Sequence, residues 1–179
     1  MLVRGAARGF TLVELLATLS VLVILTSLAA ASMSSTLNNN RSYATQDEFV
    51  AYLALARSEA ARRGVPVVVA ASAPITGNAF GGGWNVFVDV NGNGSFDSGE
   101  TVLRSHEALP SNILMGDGAA TAIAFNSMGF LTAPAAVDLK ICPTDAKLGG
   151  YEIIVQPNGL TDVKELAGNP DATGTRTTC

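Results

Sequence analysis

The sequence predicts an α+β protein in which a long N-terminal helix packs on an antiparallel β-sheet domain. Neither Gly nor Pro occurs from Phe10 through Arg63, and these helix breakers resume at Gly64 and Pro66. After Gly64, short runs rich in β-branched and aromatic residues alternate with turn signals rich in Gly and Asn. One helix followed by a series of strands is the pattern of an α+β layer arrangement.

The first half of the predicted helix is expected to be transmembrane. Residues 10–31 are mostly apolar, with Glu14 as their one charged residue, and at about 1.5 Å per residue they are long enough for a hydrocarbon core of roughly 30 Å. Arg4 and Arg8 precede the run, which predicts a cytoplasmic N-terminus. A cleaved signal peptide is the weaker alternative, because its apolar region spans only about 7–15 residues. A carboxylate at such depth costs about 2.5–3.5 kcal/mol, so Glu14 predicts a partner inside the membrane.

The second half of the helix is predicted to be amphipathic. Phe49, Leu53, Ala56 and Ala60 follow at i, i+4, i+7 and i+11, which places them on one stripe that needs a surface to pack against. The run Asn38–Asn40 interrupts good helix formers and predicts a joint between the halves. The apolar face of the sheet is expected to receive the stripe. Strands are predicted at 65–71, 84–90, 101–109, 113–115, 121–126, 137–142, 151–156 and 160–165.

The charge of the chain argues against a nucleic-acid-binding protein, and its motifs give little support to an enzyme. The chain has 179 residues and a net charge of −4, and Arg62–Arg63 is its main basic cluster. His106 is the only histidine, and its neighbours in a strand point to opposite faces, so no catalytic relay is predicted. We expect His106 at the surface and Trp84 in sheet packing.

Residues 89–100 fit the spacing of a calcium-binding loop. The oxygen-bearing side chains alternate around Gly94, as a hard cation requires. The flanking residues, however, read as strands, and in a hairpin the same Asn, Asp and Gly residues cap and turn the backbone without a metal. Both interpretations remain open, and calcium is a possible cofactor. The candidate ligands are Asp89, Asn91, Asn93, Ser95, Asp97 and Glu100.

Cys142 and Cys179 are the two cysteines of the chain. If the chain is exported, they lie in an oxidising compartment, where a pair is more often bridged than free. We therefore favour a disulfide that pins the polar C-terminal tail, with two reduced thiols as the alternative.

The segment GFTLVELL, from Gly9 to Leu16, resembles the prepilin processing signature of type IV pilins and type II secretion pseudopilins. The resemblance implies cleavage after Gly9 by a prepilin peptidase and N-methylation of Phe10. It also implies that Glu14 neutralises the new terminal amine of a neighbouring subunit during assembly. Opposite charges in a low-dielectric bundle compensate for desolvation only when they meet, which agrees with this role.

The remainder of the chain resembles the GspH/FimT branch of that family, which includes FimT/FimU minor pilins and GspH pseudopilins. The similar segments are RSEAARRGVPVVV, GGGWNVFVDVNGNGSFDSGETVL, FNSMGFLT and YEIIVQPNGLTDV. The resemblance implies the pilin fold and a subunit at or near the tip of a secretion pseudopilus or a type IV pilus. The sequence does not separate those two roles.

The same resemblance implies an order of segments and a set of partners. Residues 1–9 would form the leader, 10–31 the transmembrane half-helix, 32–63 the amphipathic half-helix and 64–179 a periplasmic β-sheet domain with its tail pinned by the disulfide. The protein would lie in the bacterial inner membrane as a single-pass precursor and then enter a filament. The implied partners are other pilins or pseudopilins through the N-terminal helix, the prepilin peptidase and the inner-membrane assembly platform.

Two alternative functions are a DNA receptor and a calcium-binding module. Some FimT-like minor pilins are DNA receptors for transformation and carry a G-R-x-R element near the C-terminus. Here the corresponding hairpin contains Asn158 to Asp162 and the tail has only Arg176, so the arginines that would neutralise phosphates are missing and DNA is not expected to be a partner. The other alternative is a membrane-anchored periplasmic calcium-binding module.

Overall fold

The computed structural model describes residues 9–116, 120–145 and 148–168, without the side chains of 28–32, 34 and 35. It confirms the α+β fold class, with one long helix and eight strands whose ends lie within a few residues of the predicted ones. The elements are α1 (Leu12–Arg63), β1 (Val67–Ala71), β2 (Trp84–Val88), β3 (Thr101–His106), β4 (Ile113–Met115), β5 (Ala122–Phe125), β6 (Val137–Pro143), β7 (Gly150–Val155) and β8 (Thr161–Leu166).

The chain divides into two compact units, Met1–Leu37 and Asn38–Cys179, so α1 contributes to both. The division falls at the start of the Asn38–Asn40 run. In the described part of the chain, no helix combines the length and the apolarity that are needed to cross a membrane.

Helix α1 ends at Arg63 in a left-handed glycine cap. Gly64 has φ +69° and donates its N–H to the carbonyl of Ala60 at 2.9 Å, which satisfies one of the carbonyls that a helix end leaves unpaired. In the last turn, Arg62 and Arg63 lie 2.6 and 2.5 Å from the Glu59 carboxylate. Hydrogen bonds from these two guanidinium groups lower the pKa of Glu59 to about 2. The helix therefore stops where the sequence predicts.

The strands form two sheets, whereas a single sheet was predicted. The first sheet has the order β3-β2-β1-β5 and the second the order β4-β6-β7-β8, with antiparallel pairing throughout. The three residues of β4 pair with β6 in the second sheet. At the end of β4, Gly116 has φ +129°, and a Cβ there would lie 2.8 Å from the backbone nitrogen of Ala79. A residue with a Cβ would therefore not fit at this position without a shift of the backbone, and nothing in the local strand pattern predicts this close approach.

Both sheets and the second part of α1 share one hydrophobic core. The predicted stripe is confirmed, because Phe49, Ala56 and Ala60 are 0% exposed and Leu53 is 1% exposed. Trp84 is fully buried, as expected for sheet packing. The sheets contribute Val67, Val69, Val86, Leu139, Ile141 and Ile153 among other buried side chains.

Arg57 fastens α1 to two β-turns. Its Nε donates to the carbonyl of Gly129 at 3.1 Å, and its Nη2 donates to the carbonyl of Asn158 at 3.3 Å. Gly159 follows Asn158 with φ +78°, and a Cβ there would collide with the Gly129 carbonyl oxygen. The side chain of Arg57 thus holds together the turn after β5 and the hairpin between β7 and β8.

We expect Arg57→Ala to lower the free energy of unfolding by about 1–2 kcal/mol, since hydrogen bonds to a charged donor contribute about 1.5–3 kcal/mol and these are partly exposed. Denaturant unfolding of the full-length protein in detergent measures the loss. Arg41→Ala, at an exposed position on the same helix, is the control and should change little. Equal losses in the two variants would contradict the fastening role.

Candidate assembly site

Helix α1 begins with Thr11 as its N-cap. The Thr11 hydroxyl accepts a hydrogen bond from the backbone N–H of Glu14 at 3.3 Å, and the Thr11 carbonyl accepts one from Leu15 at 3.2 Å. Such a cap satisfies an amide that the start of a helix otherwise leaves unpaired. Thr11 was not among the predicted site residues, although the T-x-x-E spacing from Thr11 to Glu14 is a readable capping signal.

Gly9 and Phe10 precede the helix, because the Thr11 cap fixes the start of α1 after them. Gly9 is exposed, and a Cβ built on it would meet no atom within 4 Å. The Phe10 side chain is 80% exposed. The peptide bond between them is therefore accessible, as cleavage after Gly9 requires.

Glu14 lies in the first turn of α1, where a carboxylate interacts favourably with the positive end of the helix dipole. No described side chain forms an ion pair with it. Nearby hydroxyls are satisfied by their own helix, because Thr18 donates to the Leu15 carbonyl at 2.9 Å and Ser20 donates to the Leu16 carbonyl at 2.5 Å. Exposed apolar side chains surround this turn: Leu12, Val13, Leu15, Leu16 and Leu19. Glu14 is thus an ionisable group on an otherwise apolar helix surface.

The candidate calcium ligands lie in the loop between β2 and β3, where they cap its backbone. Asp89 is only 2% exposed and accepts hydrogen bonds from the N–H groups of Gly92, Asn93 and Gly94 at 2.7, 3.2 and 2.8 Å. Glu100 accepts bonds from the N–H groups of Val90 and Asp97 at 3.1 and 3.0 Å. These carboxylates therefore hold the loop together through its own amides.

The amide side chains of the loop also point toward a carboxylate. Asn91 and Asn93 donate to one Asp97 oxygen at 2.8 and 2.7 Å, and these bonds lower the pKa of Asp97. The side-chain oxygen of Asn93 accepts the N–H of Ser95 at 2.8 Å. Among the described residues, no group of three or more His, Cys, Asp or Glu side chains is arranged to hold a metal ion. A calcium ion would have to replace the two amide donors at Asp97.

We expect Asp89→Ala to lower the free energy of unfolding by about 2–3 kcal/mol in the presence of EDTA, because three backbone amides lose a charged acceptor. The control is Asp138→Ala, an exposed position on β6. Thermal unfolding with added calcium tests whether the loop binds the ion. A calcium-dependent rise in wild-type Tm that Asp97→Asn abolishes would support it, and no rise in the wild type would exclude it.

Cys142, on β6, takes part in a disulfide. Cys179 lies outside the described residues, so the pairing of Cys142 with Cys179 stays a prediction.

The closing hairpin between β7 and β8 is described, and Asp162 there accepts a hydrogen bond from Gln156 at 3.1 Å. Arg176 lies outside the described residues.

Comparisons with known proteins agree with this fold. Residues 4–30 match the prokaryotic N-terminal methylation motif, and residues 45–159 match the family described as type II transport protein GspH. A search of curated proteins found no match. Two crystal forms of the type IV minor pilin FimU from Pseudomonas aeruginosa PAO1 share the fold. In space group P21 the identity is 22%, the TM-score 0.58 and the coverage 70% of this chain and 89% of FimU. In space group P65 the values are 23%, 0.53, 66% and 88%.

The match to the N-terminal methylation motif, together with the fold shared with FimU, makes this chain type IV pilin-like. The chain belongs to the GspH family, in the GspH/FimT group of pilin-like proteins. The family and the fold are those of structural pilin subunits rather than enzymes.

Proposed function

We propose that the protein is a minor pilin or pseudopilin that is cleaved after Gly9, methylated at Phe10 and assembled at or near the tip of a filament. One observation carries the proposal: the Thr11 cap holds Gly9 and Phe10 outside α1 while Glu14 lies one turn inside it. The Gly9–Phe10 bond thus lies just before the helix, and the Glu14 carboxylate lies in its first turn.

Cleavage after Gly9 creates an amine where the helix dipole is positive. An ammonium group at that end is electrostatically unfavourable, whether or not it is methylated. Glu14 lies in the first turn among apolar side chains, so its carboxylate needs a positive partner. The amine of one subunit and the Glu14 carboxylate of a neighbouring subunit can supply each other with that partner. Subunits that exchange this pair compensate for the charge that each brings into the apolar bundle.

The protein is proposed to exist first as a membrane precursor and then as a filament subunit. In the first, residues 10–31 anchor a single-pass precursor in the inner membrane, with residues 64–179 in the periplasm and the prepilin peptidase on the cytoplasmic side. In the second, the assembly platform draws the subunit into a filament through helix contacts with other pilins. The apolar side chains exposed on α1, including Leu16, Leu22 and Leu25, are the surface that such contacts would bury.

A deletion strain distinguishes a secretion pseudopilus from a type IV pilus. Loss of extracellular enzymes with intact twitching motility would assign the subunit to secretion, and the reverse result would assign it to a pilus. Complementation with wild type should restore the lost activity, whereas complementation with Glu14→Gln should not. A strain that keeps both activities would contradict the proposal.

The DNA-receptor alternative predicts basic side chains at the closing hairpin. Its described residues, Pro157 to Asp162, include no arginine or lysine. Within the described part of the chain, Arg57 is the arginine that contacts the hairpin, and it donates to the Asn158 carbonyl. We therefore expect no shift of a DNA duplex by the full-length protein at low salt, and a shift that salt abolishes would favour DNA binding.

A further inference from the structure

The loop between β2 and β3 contains two consecutive Asn-Gly pairs, Asn91–Gly92 and Asn93–Gly94. Asparagine before glycine is unusually prone to deamidation, because glycine has no side chain to keep its backbone nitrogen away from the asparagine Cγ. In this reaction the glycine nitrogen bonds to Cγ, and its proton leaves with Nδ2 as ammonia, which closes a succinimide ring. Water then adds to one ring carbonyl and breaks that carbon's bond to nitrogen, which gives aspartate or isoaspartate.

The folded loop polarises the carbon that would be attacked. The Oδ1 atom of Asn91 accepts the backbone N–H of Asn93 at 3.0 Å, and the Oδ1 atom of Asn93 accepts that of Ser95 at 2.8 Å. Such bonds draw electron density away from Cγ. Both asparagines are exposed, so water can reach the ring that would form. Whether deamidation occurs therefore depends on the two glycine nitrogens.

Asp89 holds both of those nitrogens. The N–H of Gly92 donates to its Oδ1 at 2.7 Å, and the N–H of Gly94 donates to its Oδ2 at 2.8 Å. A glycine nitrogen has to give up its proton in order to attack Cγ. The negative charge that develops would lie beside the Asp89 carboxylate, which is only 2% exposed, so the two like charges would repel each other with little screening by water. Each carboxylate oxygen thus opposes one of the two reactions.

We propose that Asn91 and Asn93 are latent deamidation sites that Asp89 keeps unreactive in the folded loop. The proposal does not depend on the filament role. Deamidation of Asn93 replaces the amide that donates to Asp97 at 2.7 Å by a second carboxylate, and like charges repel there. The loop then loosens around Gly92, so Asn91 reacts faster after Asn93 has reacted. Each conversion makes the net charge of −4 more negative by one.

Asp89→Asn tests the proposal, because it removes the charge and keeps nearly the same shape. The full-length protein in detergent micelles is incubated with EDTA in mildly alkaline buffer made with heavy-oxygen water. Peptide mass spectrometry then counts the chains that took up the label at Asn91 or Asn93. We expect deamidation at least about tenfold faster in Asp89→Asn than in the wild type, as the loss of hydrogen bonds to a charged acceptor predicts.

Glu100→Gln is the matched control variant. It removes the other carboxylate that accepts backbone N–H groups of this loop, those of Val90 and Asp97, and it leaves the glycine bonds to Asp89 in place. Its deamidation rate should stay close to that of the wild type. Equal acceleration in Glu100→Gln and Asp89→Asn would show that any loosening of the loop suffices, and would overturn the specific role of Asp89.

Asn158–Gly159 is an internal control in every sample. The N–H of Gly159 donates to the Gln156 carbonyl at 2.8 Å, in the hairpin between β7 and β8, so Asp89→Asn should leave this pair unchanged. A rise at Asn158 equal to that at Asn91 and Asn93 would indicate unfolding and contradict local protection. If Asp89→Asn does not fold, the wild type in buffer and in urea provides the comparison, with Asn91 and Asn93 reacting at least about tenfold faster in urea. Equal rates in buffer and urea, or an unchanged rate in folded Asp89→Asn, would overturn the proposal.

Discussion

Glu14→Gln is expected to stop the subunit from entering filaments while leaving processing and folding unchanged. In the proposed assembly, the amine of a neighbouring Phe10 would be left without its carboxylate in an apolar bundle. Breaking a buried pair costs about 3–5 kcal/mol, which is more than a hundredfold decrease in an assembly equilibrium. The amount of subunit recovered in sheared filament fractions measures the loss.

Asp47→Asn is the control for this experiment, since it removes a carboxylate from an exposed position of the same helix. It should enter filaments like the wild type. The alternative of an anchored calcium-binding module makes the opposite prediction for Glu14, because an anchor does not need that carboxylate. Normal incorporation of Glu14→Gln would contradict the assembly role and leave the module as the better account.

Gly9→Val is expected to block cleavage and to leave the full-length precursor in the membrane. The structure offers open space at Gly9, so the added side chain creates no clash within the fold. The effect should arise from the peptidase, which has to approach the backbone closely where a β-branched side chain now stands. We expect at least about a tenfold slower conversion to the mature form, equivalent to about 1.4 kcal/mol in the activation barrier. A pulse–chase experiment with mass detection follows the conversion.

Gly5→Val is the matched control, because it makes the same substitution in the same predicted leader. It should be processed at close to the wild-type rate. Equal inhibition by the two variants would indicate a general disturbance of the leader, and normal processing of Gly9→Val would place the cleavage point elsewhere.

Much of the fold follows from local patterns in the sequence. The absence of Gly and Pro before Gly64 predicted the end of α1, and the spacing of Phe49, Leu53, Ala56 and Ala60 predicted which face is buried. These features depend on neighbours within a few turns of helix. The division into two sheets depends instead on which distant strands pair, and a local pattern does not encode this pairing.

The sites were predictable to different degrees for physical reasons. Gly9, Phe10 and Glu14 lie within one short motif of the sequence. Their predicted roles depend on partners outside this chain. The oxygen spacing of residues 89–100 is ambiguous, because the atoms that would bind calcium also accept backbone N–H groups in the folded loop. A surface position was expected for His106, but its side chain is only 20% exposed, because it stacks on the Trp84 ring across the strand pair and lies near Glu48 of α1. Nothing adjacent to His106 in the sequence reports those contacts.

If the chain is processed as a pilin-like subunit, the mass of its mature N-terminus will show the cleavage and the methylation. Protein purified from membranes of the native host should begin at Phe10 and carry one methyl group on its terminal amine. A chain that still begins at Met1, or one that begins near Ser32 or Ser34 after removal of a signal peptide, would contradict the claim.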